Sequence, residues 1–197
     1  MGVKEMLTNA IVASLLVAAV VVGYNLYQTP TYEATARMLV GVKTSEAEAH
    51  PGIQPIPNAT SGLQTFTLTV AKMVRTMPVA RAVVERLNLP RGSAEEVLSN
   101  MSVEQDPGTM FIDVTYTDSE AKRAQLVANA IGQVVSQKIG EVNLSDKVIT
   151  ATVREPATLP QAPVSPNPLR NGLIAFVVAL VLSAALIVGR EFLRRRS

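Results

Sequence analysis

Side chains able to do chemistry are sparse in this chain. Its one histidine, His50, has Glu46 and Glu48 close by, and an imidazole with two carboxylates is a ligand set a divalent metal accepts. Three ligands on a loop without a supporting shell bind poorly, however, so a solvated loop histidine is the better reading. Adjacent Glu95 and Glu96 give the carboxylate inventory of a glycoside hydrolase. They stand at a predicted helix start, where the helix dipole already accounts for acidic residues. Neither G-x-x-x-x-G-K-[ST] nor G-x-S-x-G occurs, which removes the common phosphate-binding loop and the serine nucleophile elbow. Cysteine is absent, which excludes disulfide scaffolds and cysteine-ligated metal sites. The residues therefore argue against an enzyme and call for no metal or cofactor.

What the chain does have is apolar length. Of 197 residues, 48% are hydrophobic and only 17% charged, below the roughly 25% charged fraction of soluble domains. No charge lies between Glu5 and Glu33, and the apolar run from Ala10 continues to Tyr24 and Tyr27, residues suited to a membrane interface. A second charge-free run, Gly172 to Gly189, gives about 27 Å of helix against the ~30 Å hydrocarbon thickness. Both are predicted to span a membrane. For the first, a cleaved signal peptide is the competing reading, but the first A-x-A pattern after the apolar run, Ala34 to Ala36, lies well beyond it in a predicted strand.

Two spans put both termini on one side. The end of the chain carries Arg190, Arg194, Arg195 and Arg196 against Glu191, which by the positive-inside rule is cytoplasmic. The expected organisation is a cytoplasmic N-terminus (1–9), a first membrane helix (10–27) and an extracytoplasmic domain (28–155), in a periplasm or equivalent wall compartment. A proline-rich segment (156–171), a second membrane helix (172–189) and a basic cytoplasmic tail (190–197) follow. Residues 28–155 hold twelve basic and fourteen acidic side chains. That balance excludes nucleic acid as a partner, because phosphates demand a basic face.

Within the exported domain, Tyr32, Ala34, Ala36, Met38 and Val40 alternate as in a strand, although alanine is a weak strand former. Residues 43–62 contain three prolines, lack periodicity and read as a long loop. Leu63, Phe66, Val70, Val74 and Met77 recur at helical spacing. Pro78 then separates a second helix carrying Val79, Val83, Val84 and Leu87. Ser93 with Glu96 offers a capping box for a short helix. Asp106-Pro107-Gly108 predicts a tight turn in a hairpin whose second strand contains Met110, Ile112, Val114 and Tyr116. Thr117 with Glu120 offers another capping box, opening a long helix with Ala124, Val127, Ala128, Ile131, Val134, Val135, Ile139 and Val142 on one face. Val148 to Val153 reads as a closing strand. The expected fold is α+β: a small, mostly antiparallel sheet with helices on one face, between two transmembrane helices. Pairing the first and last strands would bring the two membrane helices together.

Three groups of residues are set apart as interaction sites. Ser14, Ala18, Ala19 and Gly23 on the first span, and Ala175, Ala179 and Ser183 on the second, are small residues at spacings that let helices approach closely; alanine is also simply common in such helices. Arg190, Glu191, Phe192, Leu193 and Arg194 form an interfacial anchor or a peptide offered to a cytoplasmic partner. Five of the twelve prolines fall between Pro156 and Pro168, so this segment cannot be a regular helix. Extended, it would reach up to ~40 Å. It reads as a semi-rigid strut or as an ordinary linker.

In this order the parts resemble the chain-length determinant family, the Wzz-type polysaccharide co-polymerases. The residues carrying the resemblance are "YEATARMLV", "VRTMPVARAVVERLNL", "SVEQDPGTMFIDVTYTDSEAKRAQLVANAIG" and "PATLPQAPVSPNPLRNG". The last contains Pro160, Pro163, Ser165, Pro166 and Pro168 just before the second span. In particular the chain resembles the transmembrane activators of bacterial tyrosine kinases in capsule and exopolysaccharide systems. Its exported domain is shorter than in enterobacterial members, so a length ruler built on their long helices does not carry over. The sequence ends at Ser197 without a kinase domain, which resembles the split arrangement with a separate kinase.

The resemblance implies a homo-oligomeric ring in the cell membrane, working with polysaccharide polymerase and export machinery. It also implies a cytoplasmic P-loop tyrosine kinase touched by Phe192 and its neighbours. An extracytoplasmic sensor or adhesin domain signalling to another partner is the alternative function.

Overall fold

A computed structural model describes residues 3–44, 59–90, 93–141 and 147–196. His50, Glu46 and Glu48 lie outside them. The chain forms two compact units, one made of its first and last helices and the other of residues 31–163.

The central unit is built on a four-stranded antiparallel sheet in the order β2-β3-β1-β4. These strands are β1 (Tyr32–Thr44), β2 (Met101–Gln105), β3 (Phe111–Asp118) and β4 (Lys147–Glu155). First and last strands do pair, with Val40 opposite Ala151. Alternation places Ala34, Ala36, Met38 and Val40 of β1 beside Ile112, Val114 and Tyr116 of β3 on one buried face. The helices α2 (Ala59–Val74) and α5 (Ala121–Glu141) cover that face.

The alanines of β1, weak strand formers, make sense once the helix is in place: small side chains let α5 approach. At Gly132 of α5 an added Cβ would lie 2.9 Å from Val153 Cγ2. Around that contact α5 buries Val127, Ile131 and Val135, each contributing about 1.5–3 kcal/mol when fully removed from water.

The strand β1 runs to Thr44 and α2 starts at Ala59, so regular structure enters both ends of the segment expected to be loop. Pro78 occupies the first turn of α3 (Met77–Arg86), with Thr76 as extended N-cap. Met77 thus opens the second helix instead of closing the first, because proline fits where no N–H partner is needed. At its far end Asn88 has φ 51°. The Leu89 N–H donates to Val84 O and the Asn88 N–H to Glu85 O, the paired bonds of a Schellman end with asparagine in the left-handed position. The β2–β3 turn follows expectation: the Thr109 N–H donates to Asp106 O at 3.1 Å, and Gly108 has φ 78°, as the third position of a type II turn requires.

Neither capping box forms. The Ser93 hydroxyl donates back to Pro90 O at 2.8 Å, and the Glu96 carboxylate is engaged by Arg123. Thr117 remains inside β3; the next residue, Asp118, accepts the Glu120 N–H at 3.0 Å. Asp118, the last residue of β3, stands one position nearer the helix than Thr117, and its carboxylate reaches the Glu120 N–H across a two-residue Asx turn.

The other unit pairs α1 (Val3–Tyr27) with α6 (Pro168–Arg196). Both helices are long and apolar enough to cross a membrane, over Thr8–Tyr27 and Pro168–Gly189, and they fit a two-span membrane protein. The second helix starts one turn before its apolar run because Asn167 caps it, its Oδ1 accepting the Arg170 N–H at 3.3 Å, with Pro168 next in the first turn.

Candidate functional site

The long helix α5 makes two sets of buried polar contacts with its neighbours in the central domain. At its start, Asp118 is 6% exposed and its Oδ2 lies 2.9 Å from Arg123 Nε. The groups are out of line for a hydrogen bond, so they attract as ions. Arg123 Nη2 also binds Glu96 Oε1 of α4 (Ser93–Ser99). Desolvation opposes the Arg123 charge, but Asp118, Tyr116 and Glu96 outweigh it and hold its pKa above the usual range. Beneath lies the fully buried Tyr116. Burial pushes its phenol pKa up, against the opposing pull of Arg123 and Asn100. A cavity of about 270 Å³ opens at this cluster between Thr31, Asn100, Thr117 and Ser119. Two carboxylates against one guanidinium make it unsuited to phosphate.

One to two turns along α5, Gln125 and Asn129 face the chain leaving β4. Asn129 Oδ1 accepts the Ala157 N–H at 2.8 Å, and its Nδ2 donates to Ala157 O at 3.0 Å. Gln125 Nε2 donates to the same carbonyl at 3.1 Å. Ala157 is buried and lies past the sheet, so its backbone groups need such partners. The proline-rich segment is therefore tied to α5 at its first turn of chain. Beyond that tie Pro160 is half-buried and Pro163 and Ser165 exposed. The Ser165–Pro166 bond is cis, and Pro168 opens α6.

On the sheet face away from the helices, Glu104, Asp113, Arg37 and Glu155 line up across all four strands. Arg37 grips Asp113 with Nε and Nη2 at 2.7 and 2.8 Å. Bonding to Asp113 and its charge raise the Arg37 pKa. The guanidinium also lies over the Phe111 ring.

In the helix pair, the predicted small residues divide. Ser14 is fully buried, its hydroxyl donating to Ala10 O, and Ala18 is half-buried. Ala19 and Gly23 are exposed. On α6, Ala175, Ala179 and Ser183 are all half-buried, on the side continued by Gly172, whose added Cβ would lie 2.5 Å from Val22 Cγ2. Asn171 Nδ2 donates to Asn25 Oδ1 at 2.6 Å, and Asn25 Nδ2 to Val21 O. The backbone of Arg190, Glu191, Phe192, Leu193 and Arg194 continues α6 as helix; their side chains lie outside the described residues.

Asn129, Gln125, Asp118, Arg123, Arg37 and the Asn25–Asn171 pair escape a reading by motif. Signals did exist: polar residues at i, i+4 beside the buried face of α5, opposite charges at inward-outward matched positions of two strands, and an asparagine at the edge of each apolar run.

No family model matches the chain. It is 32% identical over 104 residues to the capsular polysaccharide biosynthesis protein CpsC of Streptococcus agalactiae, covering 53% of this chain and 43% of that one. It is 27% identical over 158 residues to the probable capsular polysaccharide biosynthesis protein YwqC of Bacillus subtilis, covering 80% and 61%. A CpsC of Streptococcus pneumoniae matches at 27% identity over 64% of this chain and 53% of its own length. The chain thus spans about half the length of the curated relatives it matches. Among solved structures, a full-length bacterial polysaccharide co-polymerase superposes with a TM-score of 0.50 at 13% identity, covering 98% of this chain and 97% of that one. The fold is therefore that of a co-polymerase.

Proposed function

We propose that this chain is a Wzz-type polysaccharide co-polymerase that controls the chain length or export of a capsular or exopolysaccharide without catalysing a reaction. It does so as a homo-oligomer in the cell membrane, with both termini cytoplasmic and the central domain outside, beside the polymerase and export machinery. Its C-terminal tail activates a separate cytoplasmic P-loop tyrosine kinase. The role in capsule synthesis is supported by the capsular relatives.

The observation that carries the coupling to a kinase is the continuity of α6. One uninterrupted helix runs from Pro168 to Arg196, through the apolar span and into the arginine-rich tail. A continuous helix transmits displacement along its length, whereas a flexible joint after Gly189 would absorb it. At the other end, Pro160, Pro163, Ser165, Pro166 and Pro168 form the coupling segment, and the Asn129–Ala157 bonds give it a fixed origin. Phe192 and Leu193, with Arg190, Glu191 and Arg194, are the kinase contacts.

The test has two arms. Deleting the gene should change the amount or length distribution of the surface polymer, read by gel electrophoresis; an unaltered polymer rejects the co-polymerase role. Ending the chain at Gly189 should abolish co-purification of the kinase in detergent and its autophosphorylation. Binding that survives the truncation rejects the tail contact and leaves the first arm untouched.

A further inference from the structure

The central domain carries unpaired charge of opposite sign on its two sides. On the bare face of the sheet, Arg37 and Asp113 neutralise one another through two hydrogen bonds. Glu33, Glu104 and Glu155 are exposed there, and their carboxylates have no ion pair among the described residues. The surface is also stiff, because the Thr35 and Thr115 hydroxyls bond across the strands at 2.8 Å and the Arg37 guanidinium lies over Phe111. On the helical side, Lys72 and Arg75 at the end of α2 and Arg81 and Arg86 of α3 are exposed, and with Glu85 of α3 also exposed the strip is basic in balance. None of the four basic residues has an ion pair among the described residues.

We infer that the bare sheet face of one copy docks on the α2–α3 basic strip of a second copy. The inference rests on the homo-oligomer of the proposed function and names its contact. Sheet against sheet would set carboxylates against carboxylates, and strip against strip would set an excess of cations against the same excess, so self-pairing of either face is disfavoured. Since one face is the bare side of the sheet and the other is carried by helices of its covered side, the contact is heterologous: each copy gives one face and receives the other. Four strands at ~4.8 Å spacing and about six residues of ~3.3 Å cover on the order of 400 Å², about half the ~800 Å² per partner of a standard stable interface. The contact therefore depends on the membrane holding copies at high effective concentration, and being between exposed charges it weakens as salt rises.

The absence of cysteine makes the test direct. Full-length Glu104→Cys and Arg81→Cys chains, carrying different tags, are co-expressed and oxidised in isolated membranes. The expected product is a disulfide dimer bearing both tags, scarce when either variant is expressed alone and reduced several-fold by high salt. Arg75→Glu/Arg81→Glu, scored with a Lys72→Cys reporter, should lower cross-linking to Glu104→Cys about tenfold. Glu33→Arg/Glu155→Arg in the second chain should restore it, with unchanged thermal midpoints showing that the domains remain folded. Abundant dimer from Glu104→Cys alone, a two-tag product insensitive to charge reversal, or loss of cross-linking without rescue overturns the contact. Because cross-linking is scored apart from the polymer, failure of this contact and failure of the co-polymerase role are separate results.

Discussion

The side-chain amide of Asn129 and the backbone of Ala157 exchange two hydrogen bonds, 2.8 Å from the Ala157 N–H to Oδ1 and 3.0 Å from Nδ2 to the Ala157 carbonyl. Only an amide side chain offers a donor and an acceptor side by side, so asparagine continues for one residue the pairing that β4 loses at Glu155. The long helix thereby grips the chain at the point where it leaves the sheet.

Asn129→Ala should strand the buried Ala157 N–H and cost about 1–3 kcal/mol. Asn129→Asp keeps the acceptor but sets a carboxylate oxygen against the Ala157 carbonyl where Nδ2 donated, so it should destabilise as well. Chemical unfolding of the full chain in detergent gives both losses, and amide exchange at Ala157 gives the local effect. Protection at Ala157 that is equal in wild type and Asn129→Ala removes the clamp from the account.

Arg123→Met should leave the Asp118 carboxylate, 4% exposed, without its counter-ion, at a cost of about 3 kcal/mol. Adding Asp118→Asn removes the buried charge while keeping an acceptor for the Glu120 N–H, so the double variant should be more stable than Arg123→Met alone. A double variant less stable than either single one contradicts an ionic origin.

Alkaline stability should report Tyr116. Its folded pKa is raised by burial, so the unfolded chain gives up this proton first. The favourable contribution is complete below the ordinary tyrosine value of about 10 and is lost as pH rises from there through the folded value. Ultraviolet titration of the wild type should show a late step from Tyr116, together with unfolding. Tyr116→Phe should lack that late step. A late step that persists in Tyr116→Phe contradicts the assignment.

Gly132→Ala sets two effects against one another. Alanine gains about 1 kcal/mol of helix propensity, but its Cβ would meet Val153 Cγ2 at 2.9 Å, and overpacking costs about 1–3 kcal/mol. The expected result is a net loss of stability that shrinks in a Val153→Ala background. A loss of the same size in both backgrounds rejects the steric cause.

Asn25→Cys/Asn171→Cys should form a disulfide within one chain, since the native side chains meet at 2.6 Å, and Gly172→Leu should suppress it by pushing α6 away from Val22. Non-reducing electrophoresis separates the intrachain product, which runs faster, from a dimer. Dimer as the main product argues against the pairing of α1 with α6 in one chain.

Much of this molecule is written in local patterns. Alternation in Tyr32 to Val40 and Met110 to Tyr116, the 3.6-residue face of α5, the Asp106-Pro107-Gly108 turn and two charge-free runs each follow from the geometry of one short segment. Burial of one face suffices to make them legible. The capping boxes do not form because the same residue types have other work: Glu96 is claimed by Arg123 of α5, and Asp118 stands nearer the helix than Thr117.

The sequence by itself determined the element types, the α+β class and the two apolar helices, because each depends on the period of hydrophobic residues within one segment. Only the tertiary structure decided that Asn129 holds Ala157, that Arg37 holds Asp113 across 76 residues of chain, and that Asn25 meets Asn171 across 146. Hydrogen bonds and ion pairs act over about 3 Å, so which polar groups pair is fixed by strand register and helix packing, and spacing along the chain carries no record of it.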